Sequence, residues 1–437
     1  MEVIISAAVL VIVVMGVLAA VDAVTSTAGA NKARTVAAAL AENDQEQLRG
    51  LRTAELSKLK TLIPAPRDVV VDRIHYTVTS DADWVTDSQG TNISCALSSG
   101  EGSFLRIKST VTSPNRALKP VVLTSIVAPQ PGSGILTVIV KNAKGLPVDN
   151  LNVEAAGPKT TTTKKTDSSG CAIFGAVDSG AYEIRLDQAG WIGTDGNQRS
   201  LKNASVAAGS LTTVEMLYDR AATLTVTIDT KRSGSTATPA DDSSGVMAAH
   251  NGLQTGFETF LNTNPTNTNY TSYALELFPF TTPYKIYSGR CTGADPSKFI
   301  SNYFTTHPMP ALTPGASAGT LVVREPSTNF IVKRNNSSGS PVNRQDAYIY
   351  AYPTGADCNE PIVLGPTGSG GTVTKPGLPF GDYEICAQYT PDGSNYYHTN
   401  TTFQNRAESG PSAQTTLTVP RNTANGPCVD PTPPPTE

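Results

Sequence analysis

Several stretches of this chain carry residue types at spacings that could do chemistry. Gly315-Ala-Ser317-Ala-Gly319 has the GxSxG spacing of a nucleophile elbow, where a strained turn between a strand and a helix exposes a serine. Here Pro314 precedes it, the strand-like 320–325 (TLVVRE) follows, and His398 stands in an Asn/Tyr/Thr-rich loop, so acyl transfer is not expected. Residues 365–372 (GPTGSGGT) imitate a phosphate-binding loop, but Gly371 takes the place of the lysine. A Thr/Val strand also follows where a helix N-terminus is needed. Asp81, Asp83 and Asp87 could gather around calcium, yet nothing completes an EF-type loop. Tyr270, Tyr273, Tyr396 and Tyr397 lie in Asn/Thr loops and offer rings for stacking on glycans, with ordinary strand-end packing as the plainer reading. The four histidines are far apart and no CxxC exists, so no metal site and no cofactor are expected.

The elements that would position such groups divide the chain in two. Lys+Arg total 33 against Asp+Glu 37, for a formal net charge of −4, which excludes the basic footprint of a nucleic-acid binder. Only 16% of residues are charged, while Gly 36 and Pro 31 are plentiful, a composition suited to turn-rich β domains. All the prolines lie at or after Pro64, and the strongest apolar run lies before residue 25.

Residues 3–20 (VIISAAVLVIVVMGVLAA) hold no charge and no proline. As a helix they would reach about 27 Å, close to the hydrocarbon thickness of a bilayer. Val3, Ile4, Ile5, Val9, Leu10, Val11, Ile12, Val13, Val14 and Leu18 are the residues expected to face lipid. A secretory signal is the competing reading, but nothing basic precedes the run. Helical character continues to Leu62, with Val36, Leu40, Leu48, Leu51, Leu59 and Leu62 spaced as one stripe, until Pro64-Ala-Pro66 stops it. A single long helix over residues 1–62 is expected, half in lipid and half amphipathic. Lys32 and Arg34 follow the span, which by itself favours a cytoplasmic bulk. The cysteines argue for export.

Met1-Glu2-Val-Ile-Ile-Ser-Ala-Ala-Val-Leu resembles the start of type IV pilins and pseudopilins just after their cleavage point, where a glutamate opens a long apolar helix. The resemblance implies a short basic leader ending in glycine before this stretch, and N-terminal methylation. It also implies that Glu2 neutralises the N-terminal amine of a neighbouring subunit during assembly. A lone carboxylate beside an apolar span demands a cationic partner, which makes the role physically sensible.

Residues 63–130 contain VVVDRIHYTVT (69–79), FLRIKSTVT (104–112) and KPVVLTSIVAP (119–129), which read as the small antiparallel sheet of a pilin-like head. Beyond it, Gly145-Leu-Pro-Val148, Thr166-Asp-Ser-Ser-Gly170 and Gly180-Ala-Tyr182-Glu-Ile184 resemble carboxypeptidase regulatory-like (Cna-B-like) sandwiches. Gly339-Ser-Pro-Val342 and Gly381-Asp-Tyr383-Glu-Ile385 repeat two of these signatures at offsets of 194 and 201 residues. Two matches at nearly one offset mark a repeated module. Relatives of that kind can form a Lys–Asn isopeptide bond; Lys141 and Lys333 sit suitably, without convincing partners. The expected fold is α+β: a long N-terminal transmembrane and assembly helix with a small antiparallel sheet, then about three all-β sandwiches at 131–218, 219–325 and 326–420. A Pro/Thr tail occupies 421–437.

Six cysteines in an exported chain point to disulfides. Cys358 and Cys386 fall in one expected module and are paired on that ground, with Cys95 and Cys171 left open between pairing across a domain border and staying single. The resemblance implies a minor pilin or pseudopilin of a Gram-positive envelope, not an enzyme. Its partners would be the membrane, other pilin-like subunits, and a surface glycan or cell-wall ligand. A non-polymerising, membrane-anchored adhesin is the alternative.

Overall fold

A computed structural model describes residues 2–51, 53–56, 59, 66–86, 95, 103–113, 119–128, 131–239, 245–261, 272–355, 358, 361–373, 377–391, 393–411, 414–421 and 426–428. The proline-free N-terminus forms one helix, α1 (Glu2–Arg49). It stops at Gly50, whose N–H is shared between the carbonyls of Glu46 and Gln47, both at 3.2 Å. Among the described residues a single helical turn follows, α2 (Thr53–Leu56), so the one helix expected to run unbroken to residue 62 ends at Arg49. Leu56 of that turn is fully buried in a core with Trp84, Leu105 and Ile107 of the strands, a tertiary contact that the sequence pattern does not show.

Four strands follow: β1 (Arg67–Val71), β2 (Ile74–Thr86), β3 (Ser103–Thr112) and β4 (Val121–Val127), antiparallel in the order β1-β2-β3-β4. The stretch 69–79, expected as one strand, is a hairpin that reverses at Asp72-Arg73, where both residues have positive φ (50° and 64°). Such two-residue turns usually announce themselves by Asn or Gly. Here Asp72 instead meets Lys32 of α1 at 2.8 Å, tying the turn to the helix.

The first sandwich is built from β5 (Ser133–Lys141), β6 (Asn152–Ala156), β7 (Thr161–Lys165), β8 (Cys171–Asp178), β9 (Gly180–Asp187), β10 (Trp191–Gly193), β11 (Arg199–Val206) and β12 (Leu211–Arg220). They form two sheets, ordered β10-β12-β5-β8 and β11-β9-β6-β7. The chain falls into two compact units. The first holds residues 1–140, 147–186 and 201–216, so the head and most of this sandwich belong together. They share one core of Leu48, Leu56, Ala82, Trp84, Leu105, Ile107, Ile135 and Leu211. The Trp84 indole packs against Gly175, where an added Cβ would stand 2.1 Å from the ring.

The second unit holds residues 141–146, 187–200 and 217–437. Its second sandwich has β13 (Ala222–Lys231), β14 (Thr238–Pro239), β15 (Val246–Ala249), β16 (Phe257–Phe260), β17 (Ser272–Leu277), β18 (Lys285–Ser288) and β19 (Ser317–Pro326). The third has β20 (Phe330–Asn335), β21 (Pro341–Asn343), β22 (Tyr348–Pro353), β23 (Ile362–Pro366), β24 (Gly381–Tyr389), β25 (Tyr397–Asn405) and β26 (Thr415–Val419). In both, the first strand pairs in parallel with the last, β13 with β19 and β20 with β26. A module closed this way hands the chain to its neighbour with three intervening residues, 327–329.

The repeat read from the sequence extends to individual hydrogen bonds. Asn142 accepts at Oδ1 from the N–H groups of Lys144 (3.0 Å) and Leu146 (2.9 Å), as Asn336 does from Ser338 (2.9 Å) and Ser340 (3.0 Å). The Tyr182 hydroxyl donates to Asp178 O (2.8 Å), and Tyr383 to Pro379 O (2.9 Å). Thr166 Oγ1 accepts from Leu151 N–H (3.0 Å), and Thr367 Oγ1 from Ala347 N–H (3.1 Å). Residues 365–372 are therefore the third module's copy of the Thr166–Gly170 turn. Gly371, at φ +73°, lies so near Val332 O that a Cβ would come within 2.7 Å; Gly170 has the same φ and 2.5 Å from Val140 O.

Two stability effects follow. Gly371→Ala should destabilise the chain by about 1–3 kcal/mol, since it adds both left-handed strain and a backbone clash; a denaturant midpoint equal to wild type would contradict this. Glu258 Oε1 is buried without a partner, and burial, with Asp195 nearby, pushes its carboxyl up to about 7. Because the fold favours the protonated acid, stability should fall as pH rises from about 4.5 through 7 and change no further from this group above that. Glu258→Gln should flatten that fall, measured as thermal midpoints at pH 5 and pH 8.

Candidate functional site

Among the described residues, the longest exposed apolar stretch is the first half of α1. Leu10 is 67% exposed, Ile12 70% and Leu18 63%, with Val9, Val11, Val13, Val14 and Val24 likewise exposed. The side chains of Glu2, Val3, Ile4 and Ile5 lie outside the described residues. Mean hydropathy reaches 2.4 over the most apolar part of α1, so by length and composition it can cross a membrane. The run closes with polar residues that satisfy themselves: Thr25 Oγ1 donates to Val21 O (2.9 Å) and Thr27 Oγ1 to Ala23 O (2.7 Å).

The second half of α1 is seated on the head sheet. The buried stripe is Ala33, Ala37, Ala41, Asp44, Gln45 and Leu48, stepping by threes and fours. The expected stripe of Val36 and Leu40 lies only at its margin. Alanines let the helix axis come close to the strands, and Tyr76 reaches up to donate its hydroxyl to Ala33 O (3.3 Å).

Asp44 and Gln45, 4% and 6% exposed, form the polar centre of this seat. The Asp44 carboxylate accepts from Ser109 Oγ (2.6 Å), Ser80 Oγ (2.9 Å) and Arg67 Nη2 (3.4 Å). Ser80 and Ser109 are register partners on β2 and β3, so both hydroxyls rise beneath one carboxylate. Gln45 Nε2 donates to Leu123 O (3.1 Å), Ser109 Oγ (3.2 Å) and Ile107 O (3.3 Å), while its Oε1 accepts from Ser125 Oγ (2.5 Å). These partners come from β1, β2, β3 and β4, so helix register and sheet register fix one another. In the sequence the pair reads as ordinary polar helix surface; only alternating serines on the facing strands hint at it.

The cysteines correct the sequence expectation. Cys358 bonds Cys291 and Cys386 bonds Cys428, with Cα–Cα distances of 5.1 and 6.0 Å, so Cys358 and Cys386 are not partners. Cys386 sits mid-strand on β24, facing away from the core formed by Ile385 and Ala387. Cys358, in the loop after β22, is packed with Met247, Tyr287 and Ala294 of the second sandwich. Cys95 bonds Cys171, joining head and first sandwich. Two of the bonds thus cross module borders, and the third ties residue 428 back onto β24.

The remaining sequence candidates are structural. Ser317 opens β19, and its hydroxyl accepts from Gly319 N–H (3.3 Å), with a strand in place of the helix an elbow needs. Asp81 accepts from Ala82 N–H (2.9 Å) and Asp83 pairs with Arg106 at 4.0 Å. Asp87 and Tyr270 lie outside the described residues. Tyr273 is buried at 3% exposure, and Tyr397 lies under Arg334. Among the described residues no group of acidic, His or Cys side chains could hold a metal.

Helix, seated sheet and bare apolar half define a protein with, among the described residues, one membrane-competent helix followed by a series of disulfide-stapled β modules. No protein-family model and no curated protein matches the chain. Among solved structures, the Bacillus anthracis TIE protein aligns with 79% of this chain and 68% of its own, at 13% identity and TM-score 0.20. BcpA, the major pilin subunit of Bacillus cereus, aligns with 66% of this chain and 99% of its own, at 10% identity and TM-score 0.19. The major pilin SpaD from Corynebacterium diphtheriae covers 66% and 98%, at 12% identity and TM-score 0.20. At these TM-scores the alignments stop short of a shared fold.

Gln45→Ala would strand buried groups on the facing strands and should destabilise the first unit by roughly 2–4 kcal/mol. Urea unfolding followed by tryptophan fluorescence, through Trp84 in that core, measures it. A loss below about 0.5 kcal/mol, as for an exposed position, would show that the pair does not lock the helix.

Proposed function

We propose that this chain is a membrane-anchored subunit of a type IV pilus-like surface filament, of the minor pilin or pseudopilin kind. The observation that supports it most directly is the division of α1: its second half is seated on its own sheet, while its first half offers apolar surface on every side. A helix so exposed needs lipid before assembly and neighbouring helices after it. Residues 3–20 form the span and Glu2 is the assembly residue, pairing with a neighbouring subunit's cationic group.

The β modules would be carried outside the membrane. All six cysteines are paired, which suits an oxidising compartment. Function in this reading is assembly and presentation, with no turnover; the sandwiches present surfaces for adhesion.

The test separates insertion from assembly. Glu2→Ala should leave membrane fractionation unchanged and lower incorporation into sheared filaments by at least tenfold, the equivalent of about 1.4 kcal/mol. Filament incorporation equal to wild type would reject the assembly role and favour an anchored, non-polymerising adhesin.

A further inference from the structure

The repeated hairpin differs between the first and third modules in one respect. In the first, Val148 N–H donates to Val140 O (3.0 Å), and Asn142 N–H to Leu146 O (2.8 Å) in the turn. In the third, Arg344 N–H donates to Val332 O (2.9 Å), and Asn336 N–H to Ser340 O (2.8 Å). The turns are the same, but the third module's arm is two residue pairs longer. The extension carries Arg334, and Arg344 takes the place of the buried Val148.

Residues opposed in an antiparallel pair lean to the same side. Arg334 opposes Val342, and Arg344 opposes the fully buried Val332, so both arginines lean toward the core at the end of the sandwich. β20 and β26 run in parallel away from the second module, and both end at this pole. Arg334 Cζ lies 4.2 Å from the Tyr397 ring centroid and 5.3 Å from that of Tyr389, and Arg344 Cζ lies 5.7 Å from Tyr389. Arg334 Nη2 donates to Arg421 O (2.6 Å), while the Arg421 guanidinium donates to Asn336 O.

Among the described residues these charges are left over. Nε of Arg334 and Nε of Arg344 are both buried without a hydrogen-bond partner. Among the described residues no carboxylate pairs with either guanidinium, although the chain pairs Arg67, Arg185, Arg324 and Arg406 with acids. Two cations converging on one tyrosine repel each other, and an unsatisfied buried N–H is costly. A shared anion relieves both at once, and the planar guanidinium fork suits a carboxylate or phosphate. The tyrosine rings hold the guanidiniums in place beforehand through their π faces.

We propose that the end of the third module formed by Arg334, Arg344 and Arg421 is an oxyanion-binding site for a carboxylate or phosphate group of an extracellular polymer. The full chain in detergent micelles is titrated with inorganic phosphate and, separately, with acetate. Saturable binding of at least one is expected, weakened about tenfold or more by Arg334→Gln or Arg344→Gln. Arg199→Gln, an exposed arginine of β11, should bind as wild type does. Phosphate without acetate assigns a phosphorylated polymer, and acetate without phosphate a carboxylated one. Arg334→Lys and Arg344→Lys keep the charge but not the fork, and should retain only part of the affinity; they serve if a glutamine variant shows a lowered unfolding midpoint. Binding of neither anion, wild-type binding by the double glutamine variant, or an equal loss in Arg199→Gln would overturn the proposal.

Discussion

One helix has to live in two solvents. The first half of α1 exposes valine, leucine and isoleucine around its whole circumference, whereas the second half hides a narrow stripe of alanines and two polar residues. Among the described residues none packs on the first half, because the sheet that covers the helix begins only near Ala33. The seat must therefore hold the helix firmly while leaving the other end free. Asp44 and Gln45 do this by hydrogen bonds that apolar packing could not supply: a slip of the helix along the sheet would break several buried bonds together.

The same economy recurs at the module borders. Each sandwich buries an ordinary apolar core, and such small cores gain from covalent staples. The bonds Cys95–Cys171 and Cys291–Cys358 lie where one module meets another, adding to contacts already present. At the border of the second and third modules, Arg324 pairs with Asp229 and reaches Glu408 at 3.4 Å, and the Tyr303 ring meets Phe380 edge-on at 5.7 Å. Polar, aromatic and covalent contacts there act on the same joint.

Much of the architecture was legible in residue order. Alternation gave the strands of the head and sandwiches, and the recurring Gly-x-Pro-Val and Gly-x-Tyr-Glu-Ile signatures revealed the repeat because each glycine or tyrosine serves a local turn or a nearby carbonyl. Less visible was the reversal at Asp72-Arg73, where a salt bridge from Lys32 accompanies left-handed residues that are not glycine. The end of α1 at Arg49 was hidden too, since the helical pattern continues past it and the burial of Leu56 in the shared core is a contact between residues far apart in the chain.

The sequence by itself determined the apolar span, the position of Glu2, the predominantly β character of the described residues after the first proline, and the repeated turns. These are properties of contiguous residues, written in periodicity and local backbone preference. Tertiary structure alone decided which cysteines meet, which helix face is buried, and that Arg334 and Arg344 converge on Tyr389 with no acid beside them among the described residues. Those depend on distances between residues far apart in the chain, and a disulfide or a buried carboxylate is selected by what the folded chain brings within reach.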